Sequence, residues 1–288
     1  MREVKFYVDG CACDLDESLL SENSISLVYP IISFNDKEYP SDSRWADTPL
    51  DEYLSWAKAG SFFSITQPSV KAWSDVFEED LKAGYDIFFL SLSQRFSGGY
   101  KQVQIARKLL LRKYKDAQFG IMDSTVVGAA LKLLSLKIAQ LLKEDLYGNF
   151  QLLENHIESL ILSNLQNYWV CDNLKNVAYM SRGSDTFKEE EVPEGSPLIC
   201  TQEGTFSVSS VSPTFDESFE KLKKELETQN IKEWEFSYSP DFENYESYLE
   251  ELTKCIGKEP VHAATYMGPT NVAIAGLHSF DVGILKRL

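Results

Sequence analysis

Three short stretches carry hydroxyls, carboxylates and glycines at spacings that suit the holding of a small anion: Asp9-Gly-Cys-Ala12, Ser91-Leu-Ser-Gln-Arg-Phe-Ser-Gly-Gly-Tyr100 and Asp123-Ser124. Such loops present backbone N–H groups and serine hydroxyls to a carboxylate or phosphate at a helix N-terminus. Ser97, Gly98 and Gly99 stand where a helix begins, so their N–H groups point toward a ligand; the same residues also make an ordinary helix cap and turn. Catalytic alternatives are thin. His156, His262 and His278 are far apart, and His156 sits mid-helix between Glu154 and Glu158. A nucleophilic Ser97 with His262 as base lacks an identifiable aspartate partner. No G-x-S-x-G elbow, H-E-x-x-H pair or G-x-x-x-x-G-K-[ST] loop is present. Five cysteines without a C-x-x-C pair read as free thiols of a reduced, cytoplasmic protein, with no metal and no cofactor expected.

Each of the three stretches follows a short apolar run: Val4–Val8, Asp86–Leu92 and Phe119–Met122 read as strands. Helices follow. Ser69 caps one through Trp73, Phe77 and Leu81 to Gly84; another carries Val103, Ala106, Leu109 and Leu110; a long one runs from Thr125 to Lys143; and a further one fits Phe150–Leu162. Thr48-Pro49 is expected to cap and open a helix ending at Gly60. Alternating strand, loop and helix is the order of a parallel sheet with helices on both faces, whose ligands collect at the C-terminal strand ends. The second part reads as Tyr168–Cys171 strand, a polar acidic linker over 181–197, a hairpin at Leu198–Thr201 and Thr205–Val208, helices at Phe215–Leu226 and Asn244–Cys255, and strands at Glu233–Phe236, Val261–Thr265 and Asn271–Ala275. The expected fold class is α/β in two domains: 1–165, an N-terminal parallel sheet carrying the head-group loops, and 166–288, a smaller α/β domain that closes the pocket.

The chain has 288 residues, 28 basic and 44 acidic, a net charge of −16. That balance disfavours a nucleic-acid partner, since phosphate binding draws on surplus Lys and Arg. No stretch reaches the roughly 18 apolar residues of a spanning helix, and the N-terminus turns acidic at Asp9, so no signal peptide is expected.

Ile65-Thr-Gln-Pro-Ser-Val70, then Phe96-Ser-Gly-Gly-Tyr100, then Asp123-Ser124 are ordered and spaced like the DegV family's Thr-Ser-Gln-Pro-Ser, Leu-Ser-Gly-Thr-Tyr and Asp-Ser/Thr. Val8-Asp9-Gly10 resembles its Val-Asp-Ser, Asp172 to Arg182 its Asp-x-Leu…Gly-Gly-Arg segment, and Tyr266-Met-Gly-Pro269 its His-Val-Gly-Pro. The resemblance implies a two-domain, non-catalytic protein that holds a long-chain fatty acid, or a similar amphiphilic carboxylate, between its domains and presents the carboxylate to a separate fatty acid kinase subunit. Carried over by position, Ser97 matches the carboxylate-binding serine with Gly98 beside it. Arg182 matches the supporting arginine, and Thr66 the serine before Gln-Pro. The head-group threonine falls at Ile65, which cannot hydrogen-bond; Ser64 or Thr66 stands ready to replace it. Tyr266 replaces the histidine. An acidic segment over 185–194 takes the place of a small, apolar one, so that loop must swing outward or the ligand must be shorter or different. Two other readings stay open: a divergent member without lipid that acts through partner contacts, and a kinase-like or hydrolase-like enzyme using His262.

Overall fold

In the computed structural model, residues 2–287 are described apart from 12, 62, 145–148, 161–163, 174, 176–193 and 203. Strands β1 (Val4–Asp9), β2 (Ile25–Val28), β6 (Asp86–Ser91) and β7 (Phe119–Asp123) form a parallel sheet in the order β2-β1-β6-β7. Alternate side chains feed opposite faces, as the pleat requires. Tyr7, Ile87, Phe89, Phe119 and Ile121 pack with Trp73, Phe77 and Leu81 of α3 (Val70–Ala83) and Val103, Ala106 and Leu110 of α4 (Gly99–Lys113). Phe6, Val8, Phe88, Leu90 and Met122 pack on the other face with α1 (Glu17–Asn23), α5 (Gly128–Lys143) and α6 (Phe150–Leu160). Helix α3 starts where Ser69 accepts the Ala72 N–H and stops at left-handed Gly84, as the sequence reading expects.

A small antiparallel sheet, β4-β3-β5, joins Lys37–Pro40, Ile31–Phe34 and Ser64–Thr66. Helix α2 (Leu50–Lys58) buries Tyr53 against it. The expected cap is corrected here. Pro49 is the N-cap and makes no side-chain cap bond, because the Thr48 hydroxyl donates to the Pro40 carbonyl at 2.7 Å.

The second sheet is mixed, in the order β10-β9-β8-β13-β11-β12: Thr205–Ser212, Ser196–Gln202, Leu165–Val170, Phe280–Lys286, Ile231–Tyr238 and Thr265–Tyr266. Its outer face buries Trp234, Phe236 and Phe280 under α7 (Phe215–Glu227) and α8 (Tyr245–Ile256). Its inner face lies on α5. That helix is buried over most of its surface, in keeping with its mostly apolar sequence. A Cβ on Gly283 would run into the α5 backbone at Ala129 and Ala130. Two strand expectations fail. Residues Pro269–Ala275 form a helix, α9, because Pro269 fits the first helical turn and a short apolar run alone does not distinguish strand from buried helix. The last strand is instead Phe280–Lys286, and only Thr265–Tyr266 of the 261–266 stretch pairs, with β11.

Candidate functional site

The parallel sheet reverses its winding between β1 and β6: β2 lies beyond β1, and β7 beyond β6. Loops leaving two such strands diverge and open a crevice at their C-terminal ends. Asp9 ends β1, and Ser93 to Gly98 lead from β6 into α4. A notch lies over Gly99. An ideal Cβ there would stand 3.2 Å from Asp9 Oδ2, 3.2 Å from Ser97 Oγ and 3.3 Å from Gln67 Oε1. Three side-chain oxygens thus converge on the bare glycine, and any side chain there would press on all of them.

The notch is an electrostatic oddity. Asp9 is fully buried. Oδ1 accepts the Cys11 N–H at 3.0 Å, whereas Oδ2 has no partner among the described residues. Burial pushes the carboxyl up to about 7, against the pull of the Cys11 and Leu92 N–H groups. Gln67 Oε1 is likewise buried and unpartnered. The Gln67 amide donates through Nε2 to Cys11 Sγ at 3.3 Å, and that thiol faces Thr270 Oγ1 at 4.0 Å. Thr270 Oγ1 lies 2.6 Å from Ser41 Oγ. The Ser97 oxygen accepts the Gly99 N–H at 3.0 Å, leaving its proton free to donate.

Of the residues expected from sequence, Ser97 is in the notch and Gly98 is the exposed N-cap of α4. Ser64, Ile65 and Thr66 form β5, and both hydroxyl residues are exposed, with Ile65 half-buried between them. It is Gln67, one residue on, that reaches the notch. Tyr266 is 48% exposed and packs on the Tyr238 ring at 5.1 Å; Thr270, four residues later, carries that segment's contact to the crevice. Arg182 lies outside the described residues, as does 185–193 of the acidic segment. Ser97 and His262 are not paired: His262 Nδ1 meets Glu235 Oε1. Gln67 is the residue to which sequence reasoning gives no role, although it stands inside a quoted motif; Asp9 and Gly99 are read there as members of anion-holding loops, without their approach to Gln67. Gly99 occupies the place of threonine in the Leu-Ser-Gly-Thr-Tyr pattern, the one sequence sign that no side chain stands among these oxygens.

Beyond Ser93, on the β7 side, opens a cleft of about 730 Å³ lined by Arg95, Lys101, Asp123, Thr125, Thr201 and Gly204, among others. It is polar rather than greasy. The apolar layer lies behind it, where Phe96 of the β6–α4 loop meets Phe206 of β10 at 4.3 Å and Phe206 meets Trp169 of β8 at 5.3 Å. No group of three or more metal-ligating side chains occurs among the described residues, and no described helix is long and apolar enough to cross a membrane.

Comparison with known proteins agrees with this architecture. The structure is similar over 98% of both chains, at TM-score 0.85 and 20% identity, to a stearic acid-binding protein from Eubacterium ventriosum. It is similar at TM-score 0.83 and 17% identity, over 99% of this chain and 100% of the other, to a DegV family protein from Eubacterium eligens loaded with heptadecanoic acid. Among curated relatives, a DegV domain-containing protein of Clostridium acetobutylicum is 28% identical over 42% of this chain and 41% of its own length. One from Clostridium perfringens is 30% identical over 50% and 49%. The chain thus spans about half or less of these two relatives, while a second C. perfringens protein is 23% identical over 80% of this chain and 81% of its own length. The family model described as "Uncharacterised protein, DegV family" matches residues 7–184, and the chain belongs to that family.

Proposed function

We propose that the protein carries a long-chain fatty acid, without turning it over, and presents the carboxyl group to a separate acyl-phosphate-forming kinase. The observation that carries this reading is the buried polar notch over Gly99, set at the switch point of the parallel sheet beside an apolar layer. Ser97 donates to one carboxyl oxygen, and the N-terminus of α4 lies below it. The alkyl tail runs along Phe96, Val126, Trp169, Ile199 and Phe206, which belong to one apolar cluster shared by the two sheets. Each buried CH₂ contributes about 0.8 kcal/mol. The fatty acids named for the two similar structures support the ligand class.

The kinase arm has its own support. Arg95 and Lys101 line the cleft next to the notch, and neither forms an ion pair among the described residues. In a chain of net charge −16, two cations against the one carboxylate of Asp123 in this cleft lining favour an incoming phosphate.

Mass spectrometry of lipid extracted from purified protein is expected to find a fatty acid. Oleate at 100 times its Kd is expected to stabilise the native fold by about 2.7 kcal/mol, seen as a rise in Tm, and Ser97→Ala to reduce that rise. No extracted lipid and no shift with oleate or palmitate would remove the carrier reading and leave a lipid-free member that works through partner contacts.

A further inference from the structure

We propose that the head group is held over Gly99 as a hydrogen-bonded pair with Asp9 that shares one proton, so that loading a carboxylic acid draws a proton from solvent. The proposal rests on the fatty-acid reading and adds to it the protonation state and head-group preference of the seat.

The geometry requires a donor. Asp9 Oδ2 and Gln67 Oε1 both face the notch, both are buried, and neither has a partner among the described residues. Both are acceptors, and a carboxylate is acceptor-only as well. Gln67 Nε2 donates to Cys11 Sγ at 3.3 Å, and Oε1 turns to the notch. A threonine side chain at position 99 would set a hydroxyl donor among these oxygens, and glycine withholds it. Ser97 supplies one donor, which satisfies one ligand oxygen. The second ligand oxygen meets Asp9 Oδ2, acceptor against acceptor, and only a proton between them makes that contact attractive.

Charge points the same way. Two carboxylates side by side in a desolvated site do not both ionise; they titrate as a pair. Among the described residues, the groups facing Asp9 are neutral. Cys11, on the loop after β1, keeps its proton because burial and Asp9 itself push the thiol up to about 12. Cys13 is likewise held protonated, chiefly by burial. Gln67 after β5 and Ser97 before α4 carry no charge. Among the described residues no lysine, arginine or histidine acts on Asp9. The balance is one proton from bulk water plus two carboxylates, giving a bound pair of net charge −1. Asp9 alone already holds its proton to about pH 7, so the uptake appears above that pH and fades below it.

Dodecanoate, short enough to be used as a monomer, is the probe. Calorimetric titration of the full chain in buffers of different ionisation enthalpy is expected to show uptake approaching one proton at pH 8.5 and falling toward zero at pH 6. Affinity is expected to drop nearly tenfold per pH unit between 7.5 and 8.5. Asp9→Asn, which supplies an amide donor, is expected to bind with no uptake and a flat pH profile, and Gly99→Thr to reduce the uptake by bringing its own hydroxyl. Binding with uptake near zero at pH 8.5 in the native protein would overturn the shared proton while leaving the carrier reading intact. Uptake that persists in Asp9→Asn would place the proton elsewhere and overturn it equally. Absence of binding by both dodecanoate and oleate would remove the carrier reading and this inference together.

Discussion

A buried carboxyl with no cation beside it has a direct consequence for stability, separate from any ligand. Asp9 is ionised above about pH 4 in the unfolded chain but holds its proton to about 7 in the fold. The folded state therefore binds more protons between these values, and the stability Asp9 contributes is full below about pH 4 and is lost as pH rises through 7. Burial raises Asp14 and Asp281 too, so the native slope is steeper than that of Asp9 alone. Urea unfolding of ligand-free protein is expected to give lower stability at pH 8 than at pH 5.5. Asp9→Asn should recover on the order of 2–4 kcal/mol at pH 8; an unchanged pH slope in the variant would show that Asp9 is solvated in solution. At this scale the sequence was half legible. Ser97 is marked by the glycines after it and by its place before a helix. Asp9 and Gln67 stand in readable motifs, yet nothing local shows that they face each other across Gly99, because that contact is made by loops from β1, β5 and β6. Exposure decided the other residues: Ser64 and Thr66 carry the right hydroxyls but alternate outward on β5 while Ile65 turns in.

Elements were legible where one face is buried and the ends are punctuated, as in α3 between Ser69 and Gly84 and in all-buried β6. They were misread where a polar residue has a tertiary task. Strand β13 contains Asp281 and Gly283, which break the look of an apolar run. Asp281 Oδ2 accepts the Ala129 N–H at 2.7 Å, and Asn167 Oδ1 accepts that of Ala130 at 2.9 Å, so the second sheet supplies the N-terminal caps that α5 lacks in its own sequence. Gly283 is bare because α5 lies directly on it. Lys132 has the same logic. It is fully buried in α5, with Nζ 3.0 Å from Glu235 Oε2, 3.1 Å from Thr265 Oγ1 and 3.2 Å from the Ala263 carbonyl. Removing one member of such a pair strands the other charge in a desolvated site, at about 3–5 kcal/mol, whereas replacing both by apolar side chains is often near neutral. Lys132→Met is thus expected to lower urea stability by about that much. Lys132→Met with Glu235→Leu should restore most of it. A single variant within 1 kcal/mol of native would mean that water reaches the pair.

At the scale of the molecule, α5 decides whether the two sheets behave as one body. One apolar cluster runs from Phe6, Phe88 and Met122 of the parallel sheet, through Leu131 and Leu134 of α5, to Trp169, Ile199 and Phe206 of the second sheet. The buried ion pair and both N-terminal caps also join α5 to the second sheet, and Gly268 donates its N–H to Asp14 Oδ1 at 2.8 Å from the far side. Neither sheet keeps its inner face covered if α5 leaves, so partial unfolding would expose apolar surface and orphaned carboxylates at once. Unfolding is accordingly expected to be a single transition, with calorimetric and van't Hoff enthalpies equal. Phe206→Ala, which removes a ring touching both Phe96 and Trp169, is expected to lower the whole transition, costing about 3–5 kcal/mol, rather than split it. On the proposed carrier reading it should also weaken binding of oleate more than of dodecanoate, because that reading runs the longer tail further along this layer. Two resolved transitions in native protein would show that the sheets unfold independently, and the layer between them would then be an interface rather than a shared core.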